Sequence, residues 1–91
     1  MNKKLEFMKL YDFHADWCGP CQVMHPRVDE FAKNHPDIEV VKVNVEQSPE
    51  LCSKYQVKNI PTFVVVDEND AVLARKSGAI PVSELDALCQ N

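Results

Sequence analysis

The chain has 91 residues, of which 45% are apolar and 26% charged, and its formal net charge is −4. This composition is typical of one globular domain, so we predict a single domain over residues 1–91. No basic cluster interrupts the acidic balance, which argues against nucleic acid as a partner. No apolar run approaches the roughly 20 residues of a membrane-spanning helix, so no membrane association is expected.

The amino-terminal segment does not fit a secretory signal peptide. Residues 1–8 contain two lysines but no apolar run follows them, and a signal peptide needs such a run. We therefore expect a cytoplasmic protein. Residues 1–7 are expected to form a disordered extension, with Met8 as an alternative start.

The first half of the chain alternates strand and helix patterns. Residues 9–14 are short and rich in aromatic side chains, which predicts a first strand. From Cys21 the apolar residues recur at helical spacing, which predicts a helix over about 20–34. Pro20 suits the first turn of this helix, whereas Pro26 lies inside it and is expected to kink it. A β-branched run over 38–45 predicts a second strand.

The second half continues with a short helix, a hairpin and a closing helix. Ser48 followed by Pro49 predicts a helix that begins there and ends at about Gln56. The apolar run over 62–66 predicts a central strand, and a turn over 67–70 leads to a return strand over 71–76. Residues 81–90 have the pattern of a helix. The order β-α-β-α-β-β-α implies parallel pairing at the start and an antiparallel hairpin at the end.

Cys18 and Cys21 lie three residues apart at the start of the first predicted helix. Free N–H groups and the helix dipole stabilise a thiolate at this position, which favours Cys18 as a nucleophile. Cys21 lies one turn inside and can release a mixed disulfide made by the first cysteine. Zinc binding with His25 and a purely structural disulfide are the alternatives. Since no second ligand pair stands at zinc-finger spacing, we expect no metal.

Several motifs together resemble the thioredoxin family. They are residues 12–21 with the Trp-Cys-Gly-Pro-Cys run, Pro26, the Ile-Pro-Thr of residues 60–62, and Gly78-Ala79. The resemblance implies an α/β thioredoxin-like fold, with a central four-stranded mixed sheet flanked by three helices and without the family's usual first strand and helix. The exposed side of the second strand would then be a sheet edge, which invites self-association.

The same resemblance implies an activity and its partners. It implies a thiol–disulfide oxidoreductase that reduces disulfides in protein substrates and has no cofactor of its own. A flavoprotein or other thioredoxin reductase would return electrons to the dithiol. We expect a monomer.

The resemblance also assigns roles to the residues around the dithiol. Cys18 matches the family's nucleophile and Cys21 its resolving thiol, while Asp12 matches the buried aspartate and Lys42 the lysine partner of that aspartate. The chemistry supports Asp12 independently, because burial raises the pKa of a carboxyl and lets it accept the Cys21 proton. The alternative for Asp12 is a strand-end residue that reaches solvent.

A docking face for substrates follows from the resemblance in the same way. It implies a cis peptide bond before Pro61, which would place the backbone of Ile60 beside the dithiol. The expected substrate-binding residues are Trp17, Gly19, Pro20, Ile60, Pro61, Gly78 and Ala79. An ordinary trans proline at a strand start and a simple turn glycine are the alternatives for Pro61 and Gly78.

Two positions depart from the family pattern. His14 stands where an aromatic residue is common, and it would either stabilise the thiolate when protonated or pack as a neutral substitute. Gln22 replaces a common lysine, which should make Cys18 slightly less acidic. We expect Cys52 and Cys89 to pack as small hydrophobic residues, with Cys89 partly exposed. The remaining histidines, His25 and His35, are expected to face solvent.

Two other functions compete with this interpretation. A glutaredoxin-like protein that uses glutathione would share the short fold, although Gly19-Pro20 and Ile60 favour thioredoxin. A binding module would keep the fold but leave the dithiol idle.

Overall fold

The computed structural model describes residues 8–90. The extension expected over residues 1–7 therefore lies outside the described residues. Strands and helices follow in the predicted order, and their bounds are β1 Lys9–His14, α1 Gly19–Asn34, β2 Glu39–Asn44, α2 Pro49–Lys54, β3 Thr62–Val66, β4 Val72–Ser77 and α3 Val82–Leu88.

The strands form one four-stranded sheet in the order β2-β1-β3-β4. Strand β1 pairs in parallel with β2 and antiparallel with β3, and β3 pairs antiparallel with β4. This mixed sheet with three helices confirms the predicted fold class and the predicted pairing. Strand β2 lies at one edge of the described sheet, as expected.

The element bounds differ from the predicted ones by one or two residues at most ends, which is the usual uncertainty where helices and strands fray. The largest differences are two residues, where α2 ends at Lys54 and not near Gln56, and α3 ends at Leu88 and not at Gln90. Gln56 has a φ of 53°, so its backbone has left the right-handed helical region. Helix α1 continues through Pro26 to Asn34.

The sheet has two differently built faces. Successive residues of a strand point to opposite faces, so β1 sends Leu10 towards α1 and α3, and Phe13 towards α2. The α1 and α3 side holds the apolar cluster of Met8, Leu10, Met24, Val28, Phe31, Ile38, Phe63, Val65, Ile80, Leu85 and Cys89. The α2 side holds the cluster of Tyr11, Phe13, Val43, Tyr55, Val64 and Val66.

Among the helices of residues 8–90, none combines the length and the apolar character that crossing a membrane requires.

Candidate active site

Cys18 and Cys21 lie at the amino end of α1 and are joined as a disulfide, with 5.2 Å between their Cα atoms. Cys18 is the N-cap residue, and its Sγ accepts a hydrogen bond from the Cys21 backbone N–H at 3.2 Å. A sulfur at this place faces the unpaired N–H groups and the positive end of the helix dipole. The helix start therefore supplies the stabilisation of a thiolate that the sequence predicted.

Apolar neighbours surround the cysteine pair. Cys18 is 5% exposed and Cys21 is 1% exposed, and both pack with Ala15 in a small cluster. Val45 and Ile60 close this cluster from the side. Cys21 is thus shielded from bulk water, and Cys18 keeps only a small exposed area.

The loop before β3 passes beside this cluster. The Ile60–Pro61 peptide bond is cis, and the Pro61 carbonyl accepts a hydrogen bond from the Gly78 N–H at 2.8 Å. Gly78 has a φ of +96°, a conformation that side chains with a Cβ rarely adopt. The Thr62 hydroxyl donates to the Asn59 carbonyl at 2.6 Å, which fixes the other end of the loop.

Trp17 projects beside the dithiol and is 69% exposed. Its Nε1 donates to Glu46 Oε2 at 2.8 Å, so a carboxylate 29 positions away orients the ring. Trp17 and Ile60 line one side of a groove of about 190 Å³, whose other lining residues are Val45, Cys52, Val57, Lys58 and Asn59. Sequence reasoning missed Glu46, because no local pattern relates it to Trp17.

The loop that carries Gly78 and Ala79 is anchored to α1. The Ile80 N–H donates to the Met24 sulfur at 3.3 Å, and Arg27 Nη1 donates to the Ile80 carbonyl at 2.9 Å. Ala79 itself is exposed, as are Gly19 and Pro20 at the start of α1. The residues predicted for the docking face differ in exposure, since Ile60 and Gly78 are half-buried and Pro61 is buried.

Asp12 lies in the middle of β1 and is 1% exposed. Its Oδ2 is buried and has no hydrogen-bond partner among residues 8–90. Burial raises the pKa of Asp12, and the charges of His14, His25 and Lys42 partly offset this rise. The alternative of a strand-end residue that reaches solvent is wrong, because Asp12 is fully enclosed.

Lys42 is aligned with Asp12 but does not bind it. The two residues are direct partners in the β1–β2 register, yet Lys42 Nζ donates to Asp29 Oδ1 at 2.8 Å. This bond lowers the pKa of Asp29. Within residues 8–90, the expected ion pair between Lys42 and Asp12 is therefore absent, because Asp29 on α1 lies closer to the end of the long lysine side chain.

The expectation that His25 and His35 face solvent is wrong. Both are half-buried, and the His25 ring packs edge-on against His14 with 5.3 Å between ring centroids. His35 stacks on Phe31 and forms a 2.9 Å hydrogen bond with Asp86. The i, i+4 spacing of Cys21 and His25 was the signal that could have placed His25 on the buried side of α1.

The two remaining cysteines differ in exposure. Cys52 is partly exposed at the groove beside Trp17, whereas Cys89 is 8% exposed in the core. The expected partial exposure of Cys89 is therefore wrong. Burial, together with the charges of Asp86 and Asp37, raises the pKa of the Cys89 thiol to about 11, so this thiol stays protonated at neutral pH.

A metal site was the alternative use for the cysteine pair. Over the described part of the chain, no three His, Cys, Asp or Glu side chains are grouped so that they could hold a metal ion. The site as built offers a dithiol, a buried carboxyl and an exposed apolar face.

Known proteins resemble this chain in sequence. The family model described as Thioredoxin matches residues 3–91. Thioredoxin of Mycoplasmoides gallisepticum is 38% identical over 87 residues, which covers 96% of this chain and 82% of that protein. Thioredoxin-1 of Caenorhabditis elegans is 45% identical over 65 residues, 71% of this chain and 56% of that protein. The chain spans about half the length of some curated relatives, including Thioredoxin Y2, chloroplastic, of Arabidopsis thaliana, at 49%.

Solved structures agree with this match. An X-ray structure of Fasciola hepatica thioredoxin has a TM-score of 0.83 at 36% identity and covers 96% of this chain and 83% of that chain. A mutant thioredoxin from Halobacterium salinarum has a TM-score of 0.84 at 32% identity, with 96% of this chain and 75% of that chain covered. Sequence, fold and the cysteine pair at the start of α1 agree, and the chain belongs to the thioredoxin family.

Proposed function

We propose that this protein is a thiol–disulfide oxidoreductase that reduces disulfide bonds in other proteins. The observation that carries the proposal is the Cys18–Cys21 pair at the amino end of α1, with the buried carboxyl of Asp12 in the adjacent strand. This arrangement provides a nucleophile, a resolving thiol and a proton acceptor in one site.

In the proposed reaction, the Cys18 thiolate attacks one sulfur of a substrate disulfide. A mixed disulfide forms and the other substrate sulfur leaves as a thiolate. Cys21 then loses its proton to the Asp12 carboxylate and attacks Cys18, which releases the second substrate sulfur. The substrate disulfide ends reduced and the cysteine pair ends oxidised, so two electrons have moved from protein to substrate.

The docking face would select the substrate backbone and not a particular side chain. An extended peptide could pair with the backbone of Ile60 beside Pro61, as an added strand. The exposed ring of Trp17 and the small residues Gly19, Gly78 and Ala79 leave room for such a chain. Pro20 keeps the helix start rigid beneath it.

The partners follow from the family and stay predictions. A thioredoxin reductase, either a flavoprotein or another type, would reduce the disulfide again, and no bound cofactor is needed for the exchange. One related structure concerns thiol resolution in a yeast mitochondrial 1-Cys peroxiredoxin via glutathione and thioredoxin systems, which makes oxidised thiol enzymes a reasonable substrate class. Relatives include chloroplastic and mitochondrial forms, so the cytoplasmic location stays a prediction as well.

Reduction of insulin disulfides by dithiothreitol, followed as turbidity, tests the proposal. We expect the parent to accelerate the reaction and Cys18→Ser to lose the acceleration, because the attacking sulfur is gone. Cys52→Ser is the matched control, since Cys52 lies at the groove but outside the dithiol, and it should keep the activity. A Cys18→Ser variant as active as the parent would contradict the proposal.

A further inference from the structure

A group of polar side chains lies between α1 and strands β1 and β2, and we call it the polar seam. Its members are Asp12, His14, His25, Asp29 and Lys42. Asp12 and His14 are two residues apart in β1 and therefore point to the same face. His25 follows Cys21 by one helical turn on α1, so it lies below the cysteine on the same side of the helix. The rings of His14 and His25 pack edge-on, with 5.3 Å between their centroids.

Three buried polar atoms in this seam have no hydrogen-bond partner among residues 8–90. They are Oδ2 of Asp12, Nδ1 of His14 and Nδ1 of His25. Buried polar groups are nearly always paired in native proteins, and exceptions are found where they serve catalysis or bind water. The Tyr55 hydroxyl is also buried without a partner among these residues, but it lies by itself in the α2-side cluster. The three atoms of the seam belong to side chains that lie together, and each of these side chains can accept or release a proton.

The charged and titratable groups around Asp12 come from each element packed against it. They are His14 on β1, Lys42 on β2, and His25 and Asp29 on α1. Lys42 and Asp29 are bonded to each other at the solvent end of the seam. Both imidazoles lie near enough to Asp12 to act on the charge of its enclosed carboxyl, and both side chains are half-buried.

We propose that His14 and His25 form a paired imidazole relay that takes the proton accepted by Asp12 from Cys21 and passes it to solvent, which sets the lower pH limit of the resolving step. This inference rests on the proposed disulfide reduction. The Cys21–H bond breaks as the new Cys21–Cys18 bond forms and the substrate sulfur leaves as a thiolate. The proton moves from Cys21 to Asp12, then through an imidazole to water, and no further oxidant or reductant is required.

The relay explains why both histidines are half-buried with one nitrogen inside. Imidazole exchanges protons between about pH 5 and 8, the range in which a shuttle must load and unload. A positive imidazole also favours the ionised carboxyl of Asp12. Both histidines are therefore positioning residues, since they act through Asp12 and touch no substrate.

The test compares His14→Phe and His25→Gln with the parent in the full chain. His14→Phe keeps an aromatic ring and His25→Gln keeps a polar side chain, but neither can carry the proton. His35→Gln is the matched control, because His35 lies at the far end of α1 and bonds Asp86. Two quantities are measured between pH 5 and 9, namely the rate of insulin reduction and the titration of the Asp12 carboxyl carbon by NMR in the reduced protein.

We expect the acid limb of the rate profile to move to higher pH in both variants. At pH 6 the rate should fall roughly threefold to tenfold relative to the parent, because a shift of one pH unit is a tenfold change in ionisation. At pH 8 the rates should agree within about twofold. The Asp12 titration should move in the same direction, and His35→Gln should follow the parent.

Several outcomes would overturn the relay. A uniform loss of rate with an unchanged pH profile would mean a structural role, and unchanged Asp12 titration would mean that the imidazoles do not communicate with it. In an Asp12→Asn background the histidine changes should no longer move the profile, and a persistent shift would also contradict the proposal. If His14→Phe does not fold, His25→Gln decides the question alone. If the parent fails to reduce insulin, the proposed function is wrong, while the NMR titration still tests the coupling.

Discussion

The two faces of strand β1 are built for different purposes. Towards α2, Tyr11 and Phe13 pack against Tyr55 within an apolar cluster. The ring centroid of Tyr55 lies 5.2 Å from that of Tyr11 and 6.4 Å from that of Phe13. Towards α1, Asp12 is equally enclosed but has an unpaired carboxyl oxygen among the described residues. One strand therefore stabilises the fold on one face and holds a destabilising group, the proposed proton acceptor, on the other.

The difference between the two faces shows how the domain remains folded with a buried carboxyl in its sheet. A buried carboxyl without a partner opposes folding, and the apolar residues on both sides of Asp12 must offset that cost. Leu10 before it and Phe13 after it are both fully enclosed. Changes on the α2 face should therefore lower stability at every pH, whereas changes at the polar seam should alter how stability and the reaction rate depend on pH.

The largest effect is expected for Phe13→Ala on the aromatic face. Removal of a fully buried phenylalanine ring leaves a cavity among Tyr11, Tyr55 and Val64, and such changes cost about 3–5 kcal/mol. The free energy of unfolding from urea denaturation measures this loss. Leu73→Ala is the control on β4, because Leu73 is 40% exposed, and it should change the free energy by less than about 0.5 kcal/mol. Equal losses at the two positions would show that the α2 face is not the stabilising one.

Asp12→Asn should raise the free energy of unfolding, the opposite of the effect expected for Phe13→Ala. Burial raises the pKa of Asp12 above its unfolded value, so the stability that this group contributes is present below the unfolded pKa and is lost as pH rises through the folded pKa. The asparagine does not titrate, and the variant should gain about 1–3 kcal/mol on the parent at pH 8, the usual cost of an unsatisfied buried group.

Urea denaturation of both proteins between pH 4 and 9 checks this prediction, with insulin reduction measured in parallel. The gain in stability should grow with pH while the rate of disulfide reduction falls, because the proposed proton acceptor is gone. Asp16→Asn is the control, since Asp16 is exposed, and it should change neither quantity. A variant that is less stable than the parent at pH 8 would mean that Asp12 is favourably paired.

Periodicity and spacing predicted the order of helices and strands along the chain and the place of the dithiol at a helix start, because these depend on neighbours along the chain. Contacts between distant side chains could not be predicted in this way. Trp17 finds Glu46 across 29 positions. The long side chain of Lys42 could reach either Asp12 or Asp29 as far as the sequence shows. Its ion pair with Asp29 follows only from how α1 packs against the sheet. His25 differs from these two cases, because its spacing of one helical turn from Cys21 was a local signal for the buried side of α1.

The smallest effect on stability is expected for Lys42→Met. This substitution also tests whether the charge of Lys42 acts on Asp12. The Lys42–Asp29 pair lies at the surface, with side chains 38% and 68% exposed, so its loss should cost only about 0.2–1 kcal/mol. The methionine keeps most of the apolar stem of the lysine. Because Lys42 lowers the pKa of Asp29, the loss should be present at neutral pH and vanish as pH falls through the folded pKa of Asp29.

The same substitution should nevertheless move the pH profile of disulfide reduction. The charge of Lys42 lowers the pKa of Asp12 without direct contact, so its removal should displace the acid limb to higher pH. Lys76→Met is the matched control, because Lys76 forms a comparable 3.4 Å surface ion pair with Glu84 between β4 and α3. Both variants should lose little stability in urea, but only Lys42→Met should shift the profile. If Lys42→Met and Lys76→Met had identical pH profiles of disulfide reduction, Lys42 would have no role in the reaction. Its register position beside Asp12 would then not affect how Asp12 titrates.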